Sequence, residues 1–294
     1  MTRMRLTRVV LIALGVLAMP LAAEAQRAAK VARVGVLWPG GASTLAVRME
    51  TFRQGLRAHG FVKGRNVVFE VRHADGRTER LPKLAAELVH LDVDVITPLG
   101  GQATRAVQHA TTKIPIVATA DDFLGERLVT SLSRPEGNTT GVSIFSPELN
   151  VKRLELLKEL VPKVSRVAVL FDPATGTSQL KAIEAAARSL SVQLQVLEVR
   201  SRDDLAISFR SAKEKRAGAL NVLASPLLAS LQKTIVGLAA RNRLPAIYQW
   251  SAHARAGGLM SYGSNLRALF RQTAFLVGRV LKGAKPADLL IHPH

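Results

Sequence analysis

Two adjacent carboxylates, Asp121 and Asp122, follow a short apolar segment that has the composition of a β-strand. Acidic side chains at such a position can bind the ammonium group of a ligand through charge-assisted hydrogen bonds. Alternatively, Asp122 caps the start of a helix through its side-chain oxygen. The sequence leaves both roles open.

A second candidate site lies where the segment Thr97-Pro98-Leu99-Gly100-Gly101-Gln102 joins a predicted strand to a predicted helix. In open parallel sheets, ligands bind beyond the carboxyl ends of the strands, where helix N-termini present free backbone N–H groups. We therefore expect the amides near Gly101 and Gln102 to hold a carboxylate.

The remaining candidates follow other predicted strands. Neighbouring glycines would let the backbone around Trp38 and Ser43 approach a ligand, with Trp38 stacked on it, unless this segment is a flexible turn. Aromatic residues near strand ends suit a stacking clamp, although a core or rim role fits each one singly. These aromatic residues are Tyr248, Trp250 and Tyr262, and the polar loop residues of the second half are Asp172, Thr175 and Ser225.

Catalytic motifs are poor by comparison. Ser178 and Lys181 have the Ser-x-x-Lys spacing, but no Ser-Asp-Asn or Lys-Thr-Gly sequence follows them. The Gly-x-Ser-x-Gly, Walker and Gly-x-Gly-x-x-Gly patterns are missing as well. His292 and His294 form a terminal pair without supporting ligands, which is typical of a tail. We therefore predict no enzyme activity, no metal site and no cofactor.

These loops must be positioned by an α/β fold. From Val31 onward, short β-branched segments alternate with amphipathic segments, which is the pattern of βαβ units and a mainly parallel sheet. The similar segments Phe69–Arg72 and Leu197–Arg200 weakly indicate two related halves. A chain of 294 residues is long enough for two such lobes.

The N-terminal segment predicts export. Three arginines precede an apolar run, and Ala23-Glu24-Ala25 offers a signal-peptidase site, so residues 1–25 have the pattern of a cleaved signal peptide. The chain contains no cysteine, which leaves no thiol for a lipid anchor. Export and an aromatic content of only 4% argue against nucleic acid as the partner of this chain of net charge +19. We expect a periplasmic protein whose basic residues are mainly solvated, with an anionic ligand as the alternative.

Several segments resemble one known group, the ABC-transporter substrate-binding protein family that includes tryptophan- and tyrosine-type binding proteins of bacteria. The resemblance runs from about Val34 to Asp288. Its most specific segments are Phe52–Arg57, Arg80–Val89, Arg134–Gly141, Lys152–Lys158, Leu244–Tyr248, Ala256–Gly263 and Leu281–Asp288.

The resemblance implies a type I periplasmic-binding-protein fold, with two Rossmann-like lobes of parallel sheet joined by a hinge. Lobe I would comprise residues 27–141 and 259–288, and lobe II residues 142–258. The chain would bind an amino acid or a related carboxylate between the lobes and deliver it, as a monomer, to an ABC permease of the inner membrane. The candidates carried over from the resemblance are Gln102, Asp121, Asp122, Asp172, Thr175, Ser225 and Tyr262.

Two departures from the family pattern stand out. Family members commonly have Gly-Asp-Pro after the fourth strand, where this chain has Asp121-Asp122-Phe123. The family also usually continues beyond the Lys-Pro-Ala-Asp segment with a strand and a helix. We therefore expect residues 289–294 to be an aberrant tail on a truncated fold, with an exposed sheet edge and reduced stability.

Two other functions stay open. An exported sensor would use the same fold and signal to a membrane receptor. An exported hydrolase or isomerase would use Asp121 or Asp172 as a base, but no nucleophile paired with a histidine occurs in the predicted cleft loops.

Overall fold

The computed structural model describes residues 31–293, apart from the side chains of Ser43, Thr44 and Val47. It has two α/β lobes, each built on one parallel sheet, as the sequence pattern predicts. The predicted signal peptide, residues 1–25, and His294 lie outside the described residues.

Lobe I contains a six-stranded sheet in the order β11-β5-β4-β3-β1-β2. All of its strand pairs are parallel. Its strands are β1 (Ala32–Trp38), β2 (Val67–His73), β3 (Val95–Pro98), β4 (Ile116–Ala120), β5 (Thr139–Ser143) and β11 (His292–Pro293). Its helices are α1 (Ala42–Ala58), α2 (Leu81–His90), α3 (Gly101–Ala110) and α10 (Leu266–Leu281).

Helices α1 and α10 form one face of lobe I. Apolar residues at helical spacing on α1, such as Leu45, Met49 and Phe52, are buried in the same cluster as Phe270 of α10. Gly55 permits this close packing, because a Cβ at its position would lie 2.6 Å from the Cβ of Ala274.

Lobe II contains a five-stranded sheet in the order β10-β9-β8-β6-β7, also with parallel pairs. Its strands are β6 (Arg166–Phe171), β7 (Gln193–Glu198), β8 (Ala219–Val222), β9 (Ala246–Tyr248) and β10 (Met260–Ser261). Its helices are α4 (Ser146–Leu160), α5 (Ser178–Ser189), α6 (Asp204–Glu214), α7 (Pro226–Ser230), α8 (Gln232–Arg241) and α9 (Ser251–Arg255).

The chain crosses between the lobes after β5 and after β10. Both crossings lie a few residues later than the predicted ones at residues 141 and 259, because β5 extends to Ser143 in lobe I and β10 pairs with β9 of lobe II. Phe145, in the first crossing, has a left-handed backbone with φ 53°. Such a conformation is uncommon for a residue with a side chain and marks a sharp change of chain direction.

The C-terminal segment is part of lobe I. Leu289 and Ile291 are buried, and the Thr140 hydroxyl donates a 2.8 Å hydrogen bond to the Leu289 carbonyl. Strand β11 then pairs with β5. The prediction of an aberrant tail beside a bare sheet edge is therefore wrong for residues 289–293, since they cover that edge. The expected truncation itself stays a prediction.

Between residues 31 and 293, no helix is both long and apolar enough to cross a membrane.

Candidate functional site

The loops at the carboxyl ends of the two sheets meet in a cleft that contains two adjoining cavities. One, the aromatic cavity, is lined by Trp38, Trp250, Phe270, Leu99, Arg48 and Gln249 among others. The other, the acidic cavity, is lined by Asp121, Glu126, Asp172, Gln102, Thr175 and Gly101 among others. Gly100, Asp121 and Pro226 line both cavities, so one ligand can extend from one to the other.

The aromatic cavity combines rings with a cation that is largely withdrawn from water. Trp38 is the last residue of β1, and the Arg48 guanidinium lies 4.9 Å from the centre of its ring, within cation–π distance. Burial lowers the pKa of Arg48 to about 10, so this side chain stays charged at neutral pH. Trp250 and Phe270, both buried, complete the apolar wall. The cavity offers stacking surfaces and one positive charge.

Gln249 brings an unpaired acceptor to the same wall. The residue is 4% exposed, and its Oε1 atom has no hydrogen-bond partner among the described residues. A buried amide without a partner loses the free energy of its hydration without compensation. A ligand that donates a hydrogen bond would supply the missing partner.

Asp121 stands at the junction of the two cavities. Its side chain is buried, and the Ser146 hydroxyl donates a 2.6 Å hydrogen bond to its Oδ1 atom. Desolvation raises the pKa of Asp121, while the Ser146 hydrogen bond and the nearby Arg153 oppose that rise. A carboxylate in this position would be strongly stabilised by a cation from the cleft.

Arg153 supports Asp121 from behind the cleft. It is buried on α4 and donates a 2.8 Å hydrogen bond to the backbone carbonyl of Tyr262 and another to Asn150. These contacts join the helix after the first crossing to the segment of the second crossing. Burial lowers the pKa of Arg153 to about 9. The residue therefore fixes the geometry of both crossings next to the site.

Asp172 and Ser225 line the lobe II side of the cleft. The Ser225 hydroxyl donates a 2.6 Å hydrogen bond to Asp172 Oδ2, and the Ala174 amide donates to Oδ1. The Thr175 hydroxyl donates to the Asp172 carbonyl. Desolvation raises the pKa of Asp172, and these hydrogen bonds to its carboxylate oppose the rise. The three predicted residues are thus brought together in one loop cluster.

Gly101 begins α3 at the acidic cavity, but the carboxylate at this helix N-terminus belongs to the protein. A Cβ at Gly101 would coincide with a carboxylate oxygen of Glu126. Desolvation and then the nearby Asp121 raise the pKa of Glu126 to about 8. The prediction that the Gly101 and Gln102 amides hold a ligand carboxylate is therefore wrong for this structure. The Gln102 side chain instead donates to the Ala174 carbonyl of the other lobe.

Three predicted residues do not contribute side chains to the two cavities. Asp122 caps a turn, since its Oδ1 accepts a 2.8 Å hydrogen bond from the Gly125 amide. Tyr248 is in the lobe II core, stacked on His253 with ring centres 4.9 Å apart, so its predicted clamp role is wrong. Tyr262 is 41% exposed and engages Arg153 through its carbonyl, which also contradicts a clamp. The side chain of Ser43 lies outside the described residues.

Sequence reasoning missed several residues that the structure brings to the site. Arg48, Glu126, Gln249 and Phe270 all line the cavities. Arg48 and Phe270 lie within helices, whereas the expected ligand contacts were all in loops after strands. Glu126 had a signal, because it is the third acid within six residues of the Asp121 loop.

The site lacks the usual parts of a catalytic centre. Asp121 and Asp172 each bind a serine hydroxyl, but no histidine lines either cavity among the described residues. No group of three or more acidic or histidine residues in residues 31–293 could hold a metal ion. The cleft contains aromatic surfaces and ionisable side chains, which are features that bind ligands.

A family model described as ABC transporter substrate binding protein matches residues 34–293. The chain belongs to this family. The two parallel-sheet lobes with their interlobe cleft are those of a type I periplasmic binding protein, which confirms the predicted fold class. This substrate-binding protein is 25% identical over 243 residues to a tyrosine-binding protein of Clostridioides difficile, covering 81% of this chain and 69% of that protein.

Two solved structures of substrate-binding proteins share this fold. An ABC domain from Streptococcus pneumonia in complex with L-Trp has a TM-score of 0.82 at 25% identity, covering 90% of this chain and 89% of that one. A ligand-free, open substrate-binding protein from Clostridium difficile has a TM-score of only 0.63 at 23% identity and the same coverage. In this structure the Gln102 side chain donates to the Ala174 carbonyl, so the two lobes are in contact across the cleft.

Proposed function

We propose that this substrate-binding protein is exported to the periplasm, binds an amino-acid-type ligand between its lobes as a monomer, and delivers it to an ABC importer. The observation that carries the proposal is that Asp121 and Arg48 both line the aromatic cavity. A carboxylate and a guanidinium on one cavity match the ammonium and carboxylate of a zwitterion. The rings of Trp38, Trp250 and Phe270 match an apolar side chain.

The similarity to a tyrosine-binding protein and to a complex with L-Trp supports an amino-acid-type ligand. Binding without turnover is the activity that fits a cleft of stacking surfaces and fixed charges.

Closure of the lobes supplies the mechanism. The ligand contacts both lobes only when they are closed, so binding shifts the population toward the closed state. Gln102 donates to Ala174 across the cleft in that state, and a permease would recognise the closed surface. Phe145 and Arg153, at the crossings, are positioned to guide the movement.

Isothermal titration of the full chain with L-tryptophan, L-tyrosine and L-leucine tests the ligand class. We expect saturable binding with one site per chain. Asp121→Asn should weaken binding by about tenfold or more, because a charge-assisted hydrogen bond is lost. The matched control Asp203→Asn, at an exposed position, should bind as the parent does. No saturable binding to any amino acid or amine by a folded protein would contradict the proposal.

Export has its own test. Sequencing the N-terminus of the protein recovered from a periplasmic extract should give Gln26 as the first residue. Recovery of the full-length chain only from the cytoplasm would contradict export.

A further inference from the structure

The acidic cavity contains several acidic side chains although the chain as a whole is basic. The chain has a net charge of +19, with 41 basic and 22 acidic residues. Yet three carboxylates, those of Asp121, Glu126 and Asp172, line the acidic cavity, and none of the described residues that line it is a lysine or arginine. The acidic cavity therefore gathers acidic side chains in a chain that is basic overall.

Glu126 occupies the place where an anionic ligand would otherwise be bound. The N-terminus of the ten-residue helix α3 has the free amides and partial positive charge that attract a carboxylate. The Glu126 carboxylate lies against Gly101 at this terminus, in space that only glycine leaves open. A ligand carboxylate cannot take the same place, and the cavity beyond it has an acidic wall.

The hydrogen-bonding groups of the cleft wall also require a donor. The hydrogen bond from Ser146 uses Oδ1 of Asp121, so Oδ2 is available to a ligand. Independently, Gln249 is only 4% exposed and its Oε1 has no partner among the described residues. Both residues line the aromatic cavity, and Asp121 continues into the acidic one. A ligand that donates hydrogen bonds could therefore satisfy both Oδ2 of Asp121 and Oε1 of Gln249.

We propose that the acidic cavity is a subsite for a cationic group, so that the ligand carries a net positive charge. The ligand would be a basic amino acid or an amine with an apolar body, its cation between Asp121, Glu126 and Asp172 and its body against Trp38, Trp250 and Phe270. This inference rests on the proposed function, whose zwitterion it extends by a second positive charge.

The raised pKa of Glu126 should make cation binding depend on pH. Desolvation and the nearby Asp121 raise its pKa to about 8, and the hydrogen bond from the Asp122 amide and the nearby Arg105 oppose that rise. Asp172 lines the same cavity from the other lobe. A bound cation would lower these pKa values and return the carboxylates to their charged form. Binding should therefore release protons, and affinity for a cation should increase as the pH approaches 8.

Pairs of ligands that differ in one charge provide the test. L-arginine and L-citrulline have nearly the same shape, but only arginine carries the side-chain cation. Tryptamine and indole-3-propionate share an indole, the first with an ammonium and the second with a carboxylate. Isothermal titration of the full chain should show the cationic member of each pair binding about tenfold tighter or more.

Glu126→Gln should reduce the preference for arginine over citrulline several-fold, whereas the control Glu159→Gln, at an exposed position of α4, should keep it. Equal binding of arginine and citrulline, or tightest binding by neutral tyrosine or tryptophan with Glu126→Gln unchanged, would overturn this inference and leave the proposed function standing. Failure of every compound to bind a protein that unfolds cooperatively would overturn both.

Discussion

The two cavities of the cleft are built on different principles. The aromatic cavity is an extension of the lobe I core, because Trp38, Leu99, Leu269 and Phe270 belong to the buried cluster between the sheet and α1 and α10. The acidic cavity is built from loops and helix ends of both lobes, with carboxylates that are held by serine hydroxyls and backbone amides.

The two cavity walls therefore contribute differently to the stability of the fold and to the choice of ligand. The lobe I part of the aromatic wall belongs to a close-packed core, so it contributes to folding and to binding at once. The acidic wall contains buried carboxyl groups whose charged forms are destabilised by desolvation, and a bound cation would stabilise those charged forms. Substitutions in the first cavity should therefore affect stability strongly, and substitutions in the second should affect mainly charge selection.

The largest effect is expected from Phe270→Ala. Phe270 is 5% exposed between α1, α10 and the aromatic cavity, and removing a buried ring typically costs about 3–5 kcal/mol. Urea unfolding measures the change. Phe275→Ala on the same helix is the control, since Phe275 is 37% exposed and should cost less than half as much. Equal losses would show that the aromatic cavity is not part of the core.

The second-largest effect is expected on the pH dependence of the free energy of unfolding. In the folded state the pKa of Glu126 is about 8, raised by burial, against an ordinary value of 4.5. The stability associated with the protonated carboxyl is complete below the ordinary pKa and is lost as the pH rises through 8. Between pH 5 and pH 9 the ligand-free protein should lose about 2 kcal/mol or more relative to Glu126→Gln.

Denaturant unfolding at several pH values follows this difference. Glu159→Gln, whose side chain is exposed on α4, should retain the pH dependence of the parent. If the parent and Glu126→Gln change in parallel over this range, Glu126 is not the desolvated group that defines the acidic cavity.

The two cavities also differed in how far sequence could predict them. Alternating strands and helices predicted both sheets, because burial of parallel strands leaves a clear apolar pattern. Asp121 and Asp172 directly follow strands and Ser225 lies three residues after one, so their positions in the strand pattern point to the cleft. Arg48 and Phe270 were not predicted, because each lies on a helix whose tertiary packing brings it to the cleft, and the local sequence pattern does not reveal that packing.

Errors in the prediction have similar physical origins. Tyr248 was assigned to the cleft from its place at a strand end, but alternate residues of a strand point to opposite faces, and its ring is in the lobe II core. The prediction of a tail for residues 289–293 rests on the departure from the family pattern, and two residues of strand give no periodic signal against it. The burial of Leu289 and Ile291 and the pairing of β11 with β5 place this segment in lobe I.

Gly101→Ala should have a smaller effect on stability than either change above. The added Cβ would displace the Glu126 carboxylate, which is the end of a flexible side chain, and alanine favours the helix. We expect a change within about 1 kcal/mol in urea unfolding. The preference for L-arginine over L-citrulline should nevertheless fall several-fold. A variant with unchanged preference would show that the position of Glu126 against α3 does not select charge.

The smallest effect is expected from Tyr248→Phe, compared with Trp250→Phe two residues away. Trp250 lines the aromatic cavity, so a smaller ring should weaken binding of tryptamine several-fold through lost contact area. Tyr248 lines neither cavity, and its ring stacks on His253 with an interplanar angle of 12°, which phenylalanine can preserve. Tyr248→Phe should therefore leave the Kd of tryptamine unchanged in isothermal titration. Loss of binding in Tyr248→Phe but not in Trp250→Phe would contradict this assignment, because it would mean that Tyr248 and not Trp250 contacts the ligand.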